Sequence, residues 1–518
     1  MISLDRAGLI ASARLFIFAC ATPIAASLLT SCSAKPAPNT LVMIIESSPS
    51  NLDPRIGLDA QSERIGALLF DALLRRDEHF QLQPWLAERW EVPNPTTYIF
   101  HLRSGVRFHN GQPVTSRDVK WTFDSLLQAK IRSTKSAAYR YVDHLDAPDD
   151  ATVIFHLKEP YSALLWNLSD GAIGIVPYGS LDELAQRPIG SGPFRFVSAA
   201  QDKEVVLERN NDYWGNKPKI ERVHFTVIPD ETTRALELRK GSADVAINAF
   251  SADPLRALQQ DPRLAIEHAP GTVYSYLAFN LQDPRLKDAR IRRAIAYAID
   301  RRPIVEYLLG GRAQMASSIL PQQSWAYSEA GPYYNHDVDR ARQLLDAAGY
   351  PAVNGIRFHL TMKTSTDAAT RLLAAVLQQQ LRDVGIALEI RSFEFATFFS
   401  DVGKGAFQMY SLRWIGGNQD PDIFEYAFHS GKTPPNGANR GHYANPRVDT
   451  LIDMARHEID EAQRKQIYAE LQTVLNEDLP YVHLWYLDNV LVHTRRVHGL
   501  RLTPSGNYEF LRTATLEP

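Results

Sequence analysis

Three short strings carry residue types that chemistry uses, and each lacks the partner its chemistry requires. Gly431-Lys432-Thr433 ends like a phosphate-binding loop, but Tyr426 stands where the leading glycine of such a loop belongs, and no strand and glycine turn precede it. Gly190-Ser191-Gly192 places its glycines next to the serine, whereas a nucleophile elbow holds them two residues to either side. His457-Glu458 has Glu461 where a zinc-binding pair needs its second histidine. The 15 histidines show no metal-ligand spacing and read as surface or satisfied core residues, so no metal and no cofactor is expected. Asp149-Asp150 and Glu477-Asp478 are adjacent acids, and adjacent side chains do not converge on one point in a strand or a helix. Acids brought together by the fold, as in glycoside hydrolysis, have no marked pair here. Catalysis has no positive signal.

The motif whose context is intact lies at the N-terminus. Arg6 and Arg14 flank the start of an apolar run, Leu15 to Leu29, broken by Thr22 and Pro23. The run is shorter than the ~20 residues a spanning helix needs and suits a secretory signal. It ends in Leu29-Thr30-Ser31-Cys32, which resembles the bacterial lipobox. The reading is a signal peptide over 1–31, lipid on Cys32 and a tether over 32–39 that contains Lys35-Pro36-Ala37-Pro38. The protein is expected to be exported to the cell envelope, on its periplasmic or extracytoplasmic face, with its lipid as the only membrane contact. The one other cysteine is Cys20, so a disulfide framework is excluded.

Composition narrows the classes further. The chain has 518 residues, more than one core sustains, so two or three lobes are expected. Hydrophobic residues make up 45% and charged residues 22%, an ordinary globular balance. With 56 basic against 59 acidic side chains, no basic excess is available for a phosphate backbone, and nucleic acid is not an expected partner.

The elements alternate between strand and helix throughout. Thr40 to Glu46 reads as a buried strand, while Thr97 to Leu102, Thr152 to Leu157 and Val223 to Val227 alternate like half-buried ones. Ser116 to Gln128 reads as a helix capped by Ser116. In the helix Asp288 to Asp300 the residues Ile291, Ala294, Ile295, Ala298 and Ile299 form one stripe, with the arginines on the other face. Further helices are expected at Val338 to Ala348 and Arg371 to Val384, stopping at Gly349 and Gly385, and at Val448 to Ile459 and Gln463 to Glu477. Ile386 to Ile390, Phe407 to Arg413 and Tyr481 to Val492 read as strands. The pattern is that of an α/β protein.

Five stretches, taken together, resemble family 5 of the bacterial extracellular solute-binding proteins, the dipeptide-, oligopeptide- and nickel-binding components of ABC transporters. The first runs from Leu86-Ala87-Glu88-Arg89-Trp90 through Gly105-Val106-Arg107-Phe108-His109-Asn110-Gly111 to Asp118-Val119. The second is Gly190-Ser191-Gly192-Pro193-Phe194 with Arg209-Asn210-Asn211-Asp212-Tyr213-Trp214-Gly215. The third is Leu277-Ala278-Phe279-Asn280 leading into Arg290-Ile291-Arg292-Arg293-Ala294-Ile295. The fourth is the helix end from Ala341 to Gly349, and the fifth is Trp414 to Phe424 with Asp420-Pro421-Asp422 inside it. They follow one another from about residue 40 to the C-terminus.

The resemblance implies a two-lobed, periplasmic-binding-protein-like fold of class II, three-domain type, with two hinge strands. Domain I is then 40–69, 190–276 and 482–518, domain II is 70–189, and domain III is 277–481. It also implies a monomeric, non-enzymatic receptor that binds a peptide between its lobes and hands it to the permease subunits of an ABC importer. Nickel chelates, oligosaccharides and modified peptides are alternatives on the same fold. An extracytoplasmic hydrolase and a lipoprotein folding factor are the alternatives from other classes. Ligand contacts are expected from Arg413, Trp414, Ile415, Gly416 and Gly417 at the end of the strand from Phe407, with Trp414 as a flat wall. Tyr274, Tyr276 and Asn280 share one face of a hinge strand, and Asn248, Trp325 and Asp420 are further candidates. In the resembled peptide-binding members an aspartate stands three residues after the tryptophan and pairs with the ligand's amino group. Gly417 occupies that position here, so another acid serves, or the ligand has no free amino terminus.

Overall fold

The computed structural model describes residues 39–169, 173–329, 331–416 and 419–517. The expected signal peptide, Cys32 with most of its tether, and Gly417 lie outside the described residues. No helix among the described residues is long and apolar enough to cross a membrane.

An eleven-stranded sheet organises the body. Its order runs Ile386–Phe393, Phe358–Ser365, Met409–Trp414, Leu264–Phe279, Tyr481–Thr494, Val245–Ile247, Thr40–Ile45, Arg222–Val227, Glu204–Arg209 and Phe194–Ala200, with Ala313–Met315 added beside Tyr481–Thr494. Thr40–Ile45 lies between parallel neighbours and is buried on both faces, as its unbroken apolar run requires. Leu264–Phe279 and Tyr481–Thr494 are the two long strands, paired antiparallel with register shifts between Ala269 and Val273 and between Ser275 and Tyr276. Gly271 sits at the first shift. A Cβ there would fall 2.3 Å from the Leu487 carbonyl oxygen, so only glycine lets the two backbones approach.

Several cores among the described residues pack on this sheet. Leu41, Met43, Phe225 and Leu491 anchor one end. Leu277, Ile291, Ile295 and Leu377 fill a core at the other end, next to an aromatic cluster that contains Tyr276, Tyr410 and Tyr481. A separate four-stranded sheet, ordered Ala87–Asn94, Thr97–Leu102, Thr152–Leu157, Val142–Asp149, has its own core, including Tyr98, Phe100, Val153 and Phe155. Thr97–Leu102 and Thr152–Leu157 each alternate half-buried and buried residues without a break. Each buried Val, Leu or Phe on that face contributes roughly 1.5–3 kcal/mol.

Several local expectations are corrected. The helix Ser116–Leu127 is capped by Thr115, which forms a capping box with Asp118. The Asp118 carboxylate accepts from the Thr115 amide at 2.7 Å, so one residue earlier than Ser116 closes the turn. The helix Ala368–Asp383 begins at Asp367, whose carboxylate accepts from the Thr370 amide. In Ala289–Ala298 the apolar stripe faces the core, but Arg292 is buried too. Its guanidinium donates to the carbonyls of Leu286 at 2.7 Å, Lys287 at 2.9 Å and Leu479 at 3.1 Å, which ties the helix to the entrance of the second long strand. The strand expected from Phe407 begins at Met409.

Candidate functional site

Met409–Trp414 is paired along its whole length with Tyr274–Phe279. On its other side Phe358–Ser365 reaches only Met409 and Tyr410. From Ser411 to Trp414 the second edge has no strand partner among the described residues. This is a short run of main-chain donors and acceptors beside a side-chain wall.

Trp414 forms the wall. Its ring lies 6.1 Å from Tyr426 and stacks on Tyr276 at 6.5 Å, with the Arg440 guanidinium 5.7 Å from it. The indole Nε1 is shielded from solvent and has no hydrogen-bond partner, so a donor is left unused at the wall. Ile415 is 65% exposed and Tyr426 45%. Gly416 has φ +77°, a left-handed bend that turns the chain out of the sheet. Arg413 is exposed.

The hinge-strand candidates face inward. Tyr274, Tyr276 and Ala278 lie in the aromatic core with Tyr486 and Tyr481. Burial holds the hydroxyls of Tyr274 and Tyr276 well above the ordinary tyrosine range, so both stay protonated. Tyr274 meets His483 at 2.5 Å, and Arg440 donates to the Tyr276 hydroxyl at 3.5 Å. The Asn280 amide donates to the carbonyls of Gly405 at 3.1 Å and Phe407 at 3.0 Å. Asn248 donates to the Asn489 side chain at 2.9 Å, beside the long strand pair. The structure therefore brings Tyr276 behind Trp414 but commits Asn280 to the Gly405 and Phe407 carbonyls and Asn248 to Asn489 and the Val490 amide.

A second group forms around the Asp-Pro-Asp turn. Gln419 receives a hydrogen bond from Arg76 at 3.3 Å and gives one to Thr272 at 3.2 Å, while the Arg76 guanidinium lies 4.6 Å above Trp166. Asp420 accepts from the Asp422 amide at 2.6 Å. Burial, helped by the neighbouring Asp422 carboxylate, pushes the Asp420 carboxyl up to about 7, against the pull of Arg464 and Arg76. Arg464 lies over Trp325 at 5.0 Å and Tyr468 at 5.8 Å, so Trp325 joins this group through an arginine.

The same turn contacts the four-stranded-sheet body directly. Tyr161 donates to Asp422 at 3.3 Å, and the Ser162 amide donates to the Arg456 carbonyl at 3.0 Å. Arg456 pairs with Asp422 at 2.7 Å and Glu425 at 3.0 Å and lies over Tyr141 and Tyr161. These two carboxylates hold its proton even more firmly than usual, despite burial. Sequence reasoning missed Arg76, Tyr161, Arg456 and Arg464. Gln419, Asp420 and Asp422 stood in a quoted string, but nothing local marks the other four, because their partners come from up to several hundred residues away.

The family profile described as bacterial extracellular solute-binding proteins, family 5 Middle, matches residues 81–435. A di/tripeptide-binding protein 4 from Pseudomonas aeruginosa (strain UCBPP-PA14) is 30% identical over 529 residues, covering 95% of this chain and 98% of that one. A probable D,D-dipeptide-binding periplasmic protein, DdpA, from Escherichia coli (strain K12) is 29% identical over 481 residues, covering 90% and 92%. Among solved structures, DppA from Helicobacter pylori in complex with the peptide STSA superposes with a TM-score of 0.75 at 27% identity, covering 92% and 98%. NikZ from Campylobacter jejuni in complex with Ni(L-His) gives 0.78 at 26%, covering 92% and 99%. The fold is mixed α/β and two-lobed, of class II, as the resemblance implied.

Proposed function

The chain belongs to the bacterial extracellular solute-binding proteins of family 5, and from that premise we propose that it captures peptides between its lobes for the permease of an ABC importer. The observation that carries this reading is the one-sided strand end Ser411–Trp414 beside an indole whose N–H is unused. An extended peptide laid along that edge gains main-chain hydrogen bonds that are indifferent to its sequence, and Trp414 covers its apolar side chains.

In this reading domain I is 40–69, 190–276 and 482–518, domain II is 70–189 and domain III is 277–481. Tyr161, Ser162 and Arg76 then belong to one lobe, and Asp422, Arg456 and Gln419 to the other. Ligand that touches both lobes shifts the population toward the closed form, by its differential affinity for that form. Relatives with peptide-binding and periplasmic names support both the ligand class and an extracytoplasmic location. Lipidation at Cys32 would hold the receptor near its transporter.

Asp420 is the acid best placed to meet a ligand ammonium in the absence of a carboxylate at Gly417. Burial and the Asp422 carboxylate keep its carboxyl up at about 7, and an amino terminus bound beside it would draw the proton off. Isothermal titration with di-, tri- and tetrapeptides and their N-acetylated forms tests the proposal. One-to-one binding of free peptides, weakened by acetylation, supports it with Asp420 as the amine partner. Equal binding of both forms favours the second reading, a ligand without a free amino group, which Gly417 itself motivates. Binding of neither, with capture of a sugar or a metal chelate instead, overturns peptide capture.

A further inference from the structure

The outward face of the four-stranded sheet carries a constellation that the cleft does not use. His144 and His156 are a cross-strand pair on Val142–Asp149 and Thr152–Leu157, and Asp146 stands two residues along from His144 on the same face. One ligand atom from each of His144, Asp146 and His156 lies within 4.8 Å of the others. His156 Nε2 is 3.1 Å and His144 Nε2 3.8 Å from the same Asp146 oxygen, Oδ2. The two imidazoles are stacked, with centroids 4.4 Å apart and planes 13° from parallel, which holds both Nε2 atoms beside the same Asp146 oxygen.

A local irregularity builds the set. The register slips between Val142 and His144, so Val142 is buried while Asp143 and His144 both turn outward and Leu145 returns to the core. That bulge places Asp143 Oδ2 2.8 Å from His144 Nδ1. A carboxylate there fixes the tautomer that leaves Nε2 bare, the arrangement by which metal-binding imidazoles are oriented from behind. A first-row divalent ion held at 2.0–2.2 Å by tetrahedral donors needs them roughly 3.3 Å apart. The His156–Asp146 distance is close to that, and the two imidazoles would turn out of their stack to bring both lone pairs onto one ion.

We propose that His144, Asp146 and His156 form a surface site for a divalent late transition metal such as Zn2+, Ni2+ or Cu2+, oriented by Asp143 and independent of the interlobe cleft. Two imidazoles and one carboxylate select these ions over Mg2+ and Ca2+, which take oxygen donors. All three ligands come from one side, so the remaining coordination positions face solvent and accept water or an outside donor. A bound ion would clip the hairpin of Val142–Asp149 and Thr152–Leu157 across its exposed face.

The test uses the untagged mature chain and zinc chloride in competition with a chromophoric chelator. One Zn2+ per chain is expected, insensitive to millimolar Mg2+ and unchanged when a peptide is present. His144→Ala and His156→Ala should each abolish that equivalent, and Asp143→Asn should weaken it roughly 10–100-fold, while His101→Ala, on the same sheet face, leaves it intact. The substituted side chains are solvent-exposed or half-exposed, so melting of the metal-free variants should match wild type. Failure of the wild-type chain to bind, or an equivalent that survives in the His144→Ala/His156→Ala double variant, overturns the site.

Discussion

The Tyr161 hydroxyl donates to Asp422 Oδ2 at 3.3 Å, joining the core of the four-stranded sheet to the turn that follows the Trp414 strand. The neighbouring Ser162 amide and Arg456 carbonyl repeat the connection through backbone. On the proposed domain division this contact joins the two lobes, and it involves neither Trp414 nor its ring neighbours. Tyr161→Phe removes one hydrogen bond to a charged acceptor, worth about 1.5 kcal/mol at this 3.3 Å length, the low end for such bonds. It should lower peptide affinity by up to ~10-fold and raise the radius of gyration in small-angle scattering, with little change in melting temperature.

Trp414 separates wall from hydrogen bond. Trp414→Ala should weaken peptide binding by at least ~30-fold, the range for a central aromatic anchor. Trp414→Phe should recover part of that loss, since it keeps a flat apolar ring and discards the unused Nε1 donor. Titration calorimetry of the two variants gives the split directly.

Asp420 carries a pH signature. Its folded pKa of about 7 lies above the ordinary carboxyl value, so the folded state holds a proton that the unfolded chain releases. That stabilising contribution is fully present below the unfolded pKa of ~3.8 and is lost as pH rises through 7. Asp420→Asn should therefore raise the melting temperature at pH 8 and leave it nearly unchanged at pH 4. A gain of the same size at both pH values would contradict the raised pKa.

His483 has the opposite sign. Burial, with Arg301 nearby, lowers its pKa to about 3, and its ring sits between the Tyr274 hydroxyl and Asn476. The folded state thus refuses a proton that the unfolded chain accepts below ~6.5, and stability falls progressively from there toward pH 3. His483→Gln should flatten this acid limb in thermal melts while costing some stability at neutral pH.

Much of the framework was legible because it is written in local periodicity. Thr97–Leu102 alternates as its sequence does, and the stripe from Ile291 to Ala298 packs where its spacing placed it. Glycine stops were equally plain: Gly349 and Gly385 both adopt positive φ. Arg292 was misplaced because helical spacing cannot reveal carbonyls that arrive from residues 478 and 479. Tyr274 and Tyr276 do share a face, but only the tertiary partners Tyr481 and Tyr486 decide that this face is core. The His144, Asp146 and His156 set was invisible for the same reason. A histidine two residues from an aspartate is common, and only hairpin register and a bulge supply the third ligand and its orienting carboxylate.

Native mass spectrometry of the protein, purified without denaturant, tests peptide capture. A peptide receptor should show a discrete set of added masses matching short peptides, released on unfolding and diminished in Trp414→Ala. A chain that flies bare, and stays bare after incubation with a mixed peptide digest, would contradict it.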